Sequence, residues 1–82
     1  TMQSCRGRVI AHLLAGQDRN GCVKPTGSRE DLARQLGVSR AALFRELAAL
    51  QSMGVLRSEG NLLTVLDTPA LEKLLYHPSR TK

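Results

Sequence analysis

The sequence predicts a small, mainly α-helical domain closed by a β-hairpin. Two helical stretches, each with its own start and stop signal, meet across Gly37-Val38. Two short β-type runs then flank a Gly-Asn pair. The apolar residues are almost wholly aliphatic: 41% of the chain is hydrophobic, but Phe44 and Tyr76 are its only aromatics and there is no Trp. At 82 residues the chain is long enough for one small domain, residues 1–82, whose core must be a simple Leu/Val/Ala assembly. Abundant Ala and Leu favour helix over strand.

The elements follow in order. Met2, Cys5, Val9 and Leu13 recur at steps of 3, 4 and 4, with Ile10 and Leu14 beside them, which predicts a helix over about residues 3–16. Gln17 to Gly21 is a polar loop, and Val23-Lys24 is an extended piece entering the Pro25-Thr26-Gly27 turn. Ser28 is placed to accept a hydrogen bond from the Asp31 backbone N–H, with Glu30 and Asp31 in the first turn where the helix dipole favours negative charge. Leu32, Ala33 and Leu36 supply the apolar stripe, Gly37 ends the helix as a left-handed cap residue, and Val38 turns inward.

Ser39 caps a further helix two residues later. Leu43, Leu47 and Leu50 continue at helical steps to Met53, and Gly54 stops it. Two capped helices on a tight turn, over about residues 28–53, constitute a helix-turn-helix. Val55-Leu56-Arg57 and Leu62 to Leu66 are strands about a Ser58-Glu59-Gly60-Asn61 turn, a wing over about residues 55–66. Asp67 or Thr68 caps a last helix, about residues 69–76, with Pro69 in its first turn, Ala70, Leu71, Leu74 and Leu75 as its apolar face and His77-Pro78 as its stop. The residues beyond are expected to be a loose tail. A hairpin directly after a helix-turn-helix makes the fold a winged helix-turn-helix.

The helix beginning at Ser39 has two faces. With Arg40 at zero and about 100° per residue, Leu43, Leu47 and Leu50 centre near 300°, whereas Arg40, Ala41, Phe44, Arg45 and Ala48 occupy a sector from about 0° to 140°. That second sector points away from the core and carries two guanidinium groups. A recognition helix enters the DNA major groove with its N-terminal residues at the base edges, and an Arg fork matches guanine O6 and N7. Arg40 and Arg45 are therefore the expected base or phosphate contacts, and small Ala41 and Ala48 allow deep seating. Phe44 has two readings, cover for the edge of the core or contact with a thymine methyl, with packing preferred. Ser28 and Ser39 are caps first, but the N–H groups behind them can also hold phosphate. Arg29 beside Ser28, and Arg57 and Asn61 on the wing, are further phosphate candidates; Lys24 and Arg34 read as solvated.

Charge agrees with an anionic partner. The chain has 12 Lys+Arg against 7 Asp+Glu, a net +5. Residues 21–45 hold five basic side chains and two acidic ones, a local +3, while residues 46–66 hold one and two, a local −1. The competing reading is a winged helix used for protein contact or dimerisation, since fold does not fix function. Its mark would be an exposed apolar patch in place of the basic region. Cys5 and Cys22 lack CxxC spacing and read as reduced thiols; with the isolated His12 and His77 they make no zinc set. No catalytic set, phosphate loop, cofactor motif, secretory leader or run of 18 apolar residues is found, so a non-enzymatic, cytoplasmic chain without a cofactor or membrane span is expected.

The stretch Ser28-Arg29-Glu30-Asp31-Leu32-Ala33-Arg34-Gln35-Leu36-Gly37-Val38-Ser39-Arg40, with Arg45-Glu46-Leu47 and Met53-Gly54-Val55-Leu56, resembles the DNA-binding domain of the Crp/Fnr family of bacterial transcription regulators. The resemblance spans roughly residues 5–75 and is most specific in the helix-turn-helix. It implies that Arg40 and Arg45 read bases and that Ser28, Arg29 and Ser39 face phosphates. Ala41 stands where many members carry a base-contacting Glu, and Phe44 is bulkier than the small residue usual at its position; both departures bear on which sequence is recognised. The family also carries an N-terminal effector-binding β-roll and a long dimerisation helix, neither of which lies in these 82 residues. The expectation is an effector domain elsewhere in a longer parent protein, with double-stranded DNA, a homodimer partner and RNA polymerase as the partners implied.

Overall fold

The structure, a computed structural model, describes residues 4–25 and 27–76. Met2 and the expected helix start near residue 3, Thr26 of the turn, and the His77-Pro78 stop with the tail beyond lie outside the described residues. Four helices and three short strands follow one another: α1 (Cys5–Gly16), β1 (Cys22–Val23), α2 (Arg29–Leu36), α3 (Arg40–Ser52), β2 (Leu56–Glu59), β3 (Leu62–Val65) and α4 (Thr68–Tyr76). This is a winged helix-turn-helix.

Local chemistry accounts for most of these boundaries. The Ser4 hydroxyl caps α1 by accepting from the Gly7 N–H at 3.0 Å. Helix α3 starts at the predicted cap, the Ser39 hydroxyl accepting from the Ala42 N–H at 3.0 Å. Of the two candidate caps for α4, Asp67 fills the role: its carboxylate accepts from the Ala70 N–H at 3.1 Å, while the Thr68 hydroxyl donates to the Gln17 side chain at 3.2 Å.

The sheet differs from the predicted hairpin in two respects. It has three antiparallel strands in the order β1-β3-β2, with Cys22 opposite Thr64 and Val23 opposite Leu63. The extended piece before the Pro25 turn thus becomes an edge strand. Gly21 permits the approach: its φ is +82°, and a Cβ there would stand 2.5 Å from the Val65 carbonyl oxygen. In addition, β2 runs on to Glu59, leaving only Gly60-Asn61 as the loop. Ser58 and Glu59 have turn-like composition, but pairing with Leu63 and Leu62 satisfies their backbone groups and extends the ladder.

One aliphatic core joins all layers. Val9, Ile10 and Leu13 of α1, Leu43, Leu47 and Leu50 of α3, Leu63 and Val65 of β3, and Leu71 of α4 are buried together. Full burial of such a side chain contributes about 1.5–3 kcal/mol, so the leucine face of α3 locks that helix onto α1 and the sheet. Met53 departs from the predicted stripe. It follows the last turn of α3 and is 45% exposed. Cys5 and Cys22 are free, half-buried thiols.

Candidate nucleic-acid interface

The helix-turn-helix is built by capping at both ends of α2, reciprocal at its start and through the backbone at its end. The Ser28 hydroxyl accepts from the Asp31 N–H at 3.2 Å, and the Asp31 carboxylate accepts from the Ser28 N–H at 3.1 Å. The Ser28 backbone N–H holds the Asp31 carboxyl below its ordinary pKa; the Ser28 hydroxyl and the Arg34 guanidinium, 3.0 Å away, add to the effect. At the other end Gly37 has φ 71° and ψ 32°, its N–H donates to the Arg34 carbonyl at 3.2 Å, and the Val38 N–H donates to the Ala33 carbonyl at 3.0 Å. These two bonds form a Schellman motif, which turns the chain through Gly37-Val38-Ser39 straight into α3.

Two arginines of α1 brace this unit, and sequence reasoning missed both. Arg8 donates from Nη1 to the carbonyls of Leu36 at 3.2 Å and Gly37 at 3.1 Å, placing a cation at the negative end of α2. Arg6 donates to the Glu46 carboxylate at 2.7 Å and so ties α1 to the middle of α3. The partners are separated by 28 to 40 positions in sequence, so neither bond leaves a local signal. The Arg6–Glu46 pair has an electrostatic consequence as well. Glu46 directly follows Arg45, and its charge is compensated from the α1 side.

The outer sector of α3 stands in solvent. Arg40, Ala41, Phe44, Arg45 and Ala48 are all exposed, while Leu43 and Leu50 on the opposite face are fully buried. Phe44 is 42% exposed and lies outside the buried aliphatic cluster. The Arg40 guanidinium lies over the Phe44 ring, 5.4 Å from its centroid, within cation–π range. Among the described residues Arg45 makes no hydrogen bond or ion pair.

The remaining candidates divide. Ser28 and Ser39 are exposed at the starts of α2 and α3, their hydroxyl oxygens engaged as caps. Arg29 is half-buried and donates to the Asn61 carbonyl at 3.3 Å, so the start of α2 and the tip of the wing are brought together. Arg57 is exposed on β2 opposite Thr64, on the outer face of the sheet, and among the described residues it forms no ion pair. Elsewhere, Met53, Val55, Ala70 and Leu74 line a shallow apolar groove with Lys73, between the end of α3 and α4. Among the described residues no helix is long and apolar enough to cross a membrane.

Known structures share this arrangement. The catabolite activator protein of Thermus thermophilus superposes with a TM-score of 0.74 at 28% identity, covering 88% of this chain and 34% of that one. A second protein of Thermus thermophilus, the CRP-family transcriptional regulator TTHB099, gives 0.75 at 26% identity over 92% of this chain and 42% of that one. FixK2 of Bradyrhizobium japonicum, at 24% identity and a TM-score of 0.78, shares the fold over 87% of this chain and 38% of its own. The chain thus spans about a third to two-fifths of these relatives. None of the curated proteins matches it. Residues 7–74 match the Crp-like helix-turn-helix domain. With the capped turn at Gly37 and both exposed arginines of α3 lying inside that match, the chain belongs to the Crp-like helix-turn-helix domain family.

Proposed function

We propose that this domain binds double-stranded DNA by laying α3 in the major groove, with Arg40 and Arg45 donating to guanine O6 and N7. The observation that carries this reading is the two-faced character of α3. Its leucines are fully buried, and its opposite, N-terminal sector offers two exposed guanidinium groups with no acidic partner among the described residues. Ala41 and Phe44 flank the arginines at the base edges. Ser28, Ser39 and the first N–H groups of α2 and α3 face phosphates, as do Arg57 and, around the wing tip, Arg29 and Asn61.

The domain is the DNA-reading part of a longer, cytoplasmic regulator. An effector domain lies elsewhere in that protein, two copies pair about a two-fold axis, and RNA polymerase is a further partner. No catalytic step is assigned to it. Half-site reading by such a dimer places the two α3 helices about one helical turn of DNA apart, roughly 34 Å.

Binding of a duplex enriched from a random pool tests the reading. Arg40→Ala and Arg45→Ala should each weaken binding by about 1–3 kcal/mol on that duplex. Affinity should also fall steeply with salt, because phosphate contacts release counterions. Parent-like binding by both variants refutes the assignment.

A further inference from the structure

The outer sector of α3 has an unusual chemical make-up for a reading surface. Over its first three turns it presents Arg40, Ala41, Phe44, Arg45 and Ala48, with Gln51 and Ser52 exposed only at its far end. Arginine only donates hydrogen bonds, and the other three side chains of those turns make apolar contacts alone. Ser39, at its start, already uses its oxygen as the cap. Within those first three turns the sector thus lacks a carboxylate to accept from cytosine N4 and an amide to pair with adenine N6 and N7. Its arginines match guanine bidentately and meet the single acceptors of adenine or thymine with one bond at a time, and its apolar side chains suit the one apolar group that a base pair shows in the major groove, the thymine 5-methyl.

Phe44 is the residue built for that second contact. A phenylalanine 42% exposed on a helix whose core face is complete has no packing role that requires an aromatic ring. The ring also sits under the Arg40 guanidinium at 5.4 Å. Stacking stiffens a long side chain that would otherwise lose rotamer freedom on binding. The separation sets the spacing of the two contacts. Successive base pairs rise about 3.4 Å, so a guanidinium and a ring 5.4 Å apart meet bases within about two pairs of each other.

Building on the DNA-binding reading, we infer that Arg40 and Phe44 form one specificity unit, which selects a guanine with a thymine methyl one or two base pairs away. Arg40 takes the guanine O6 and N7. Phe44 covers the methyl and excludes water from it. Phe44 is here a specificity-determining residue, whereas the cation–π contact makes it a positioning residue for Arg40 as well.

Uracil in place of thymine tests this without disturbing the protein. It removes only the 5-methyl and keeps every hydrogen-bonding group of the base. A duplex enriched from a random-sequence pool by the 82-residue chain is remade with single deoxyuridine substitutions, and each affinity is measured by fluorescence anisotropy. One or two thymine positions near a guanine should show a loss of about fourfold on conversion to uracil, the value of one buried methyl. Phe44→Ala should bind the thymine and uracil forms alike, and Phe44→Leu should keep part of the preference. Helical circular dichroism reports whether the variants fold, and if one does not, the parent's thymine-to-uracil ratio decides alone. Equal binding of every uracil form by the parent, with Arg40→Ala still weakened, overturns the inference and leaves DNA reading intact. Failure to enrich any duplex, with no binding even at low salt, overturns both.

Discussion

Replacing Gly37 by Ala probes the joint that aims the recognition helix. Gly37 sits at φ 71° and ψ 32°, a left-handed conformation that costs a residue with a Cβ about 1–2 kcal/mol. The new Cβ would also lie 3.1 Å from Arg8 Nη1. That guanidinium is the end of a flexible side chain and can move, but moving loosens its bonds to the Leu36 and Gly37 carbonyls. Each bond of this kind is worth about 0.5–1.5 kcal/mol. Alanine recovers about 0.4–1 kcal/mol by restricting the unfolded chain. The net expectation is a loss of about 1–2 kcal/mol, which in a domain of this size lowers the melting temperature by about 4–8 °C per kcal/mol. Thermal unfolding followed by circular dichroism measures it. Gly37→Asn should fall between parent and Ala, since Asn tolerates the left-handed region better. In an Arg8→Ala background the Gly37→Ala cost should shrink, because part of it passes through Arg8. A Gly37→Ala protein that melts at or above the parent temperature refutes the reasoning.

Two further outcomes follow from the fold. Leu50→Ala removes a fully buried side chain from the α3 face and should cost about 2–5 kcal/mol, a large share of the stability of so small a domain; urea titration measures it, and a cost under about 1 kcal/mol would contradict the packing described. Asp31 and Asp18 both ionise below the usual carboxylate range in the folded chain, Asp31 chiefly through the Ser28 N–H and Asp18 chiefly through the Cys22 N–H. A folded pKa lowered beneath the unfolded one stabilises the fold at pH values above the unfolded pKa, and that contribution is lost as the pH falls through the folded pKa. Urea midpoints should therefore drop from neutral pH toward pH values below the ordinary carboxylate pKa of 3.8, and less so in Asp31→Asn; a midpoint that is flat over this span contradicts the assignment.

How far the fold was readable varies with the range of the interaction. The caps at Ser28, Gly37 and Ser39 are local events, a hydroxyl meeting a backbone N–H three residues on at the two serines and a backbone turn within five residues at Gly37, and composition announces them. The alternation of Leu43, Leu47 and Leu50 against Arg40 and Arg45 is equally local and separates the two faces of α3. The third strand is different. Cys22-Val23 is too short to carry a pattern, and it becomes a strand only because β3 offers a free edge and Gly21 admits the Val65 carbonyl. Met53 fits the helical period but comes after the chain has left the helix. Phe44 illustrates a limit of hydrophobicity as a guide, since a complete aliphatic core leaves an aromatic side chain outside. The braces from Arg6 and Arg8, and the Arg29 bond to the wing tip, join residues 28 to 40 positions apart and were invisible until the chain folded.

DNA reading requires that the arginine side of the third helix meets the ligand, and amide shift mapping observes that directly. An isotope-labelled sample titrated with a short duplex at low salt should show its largest changes from Ser39 to Ala48, with smaller ones at Ser28, Arg29 and the wing tip, and little at Met53, Val55 and Leu74. Changes gathered around the Met53–Leu74 groove, with Arg40 and Arg45 undisturbed, would contradict it.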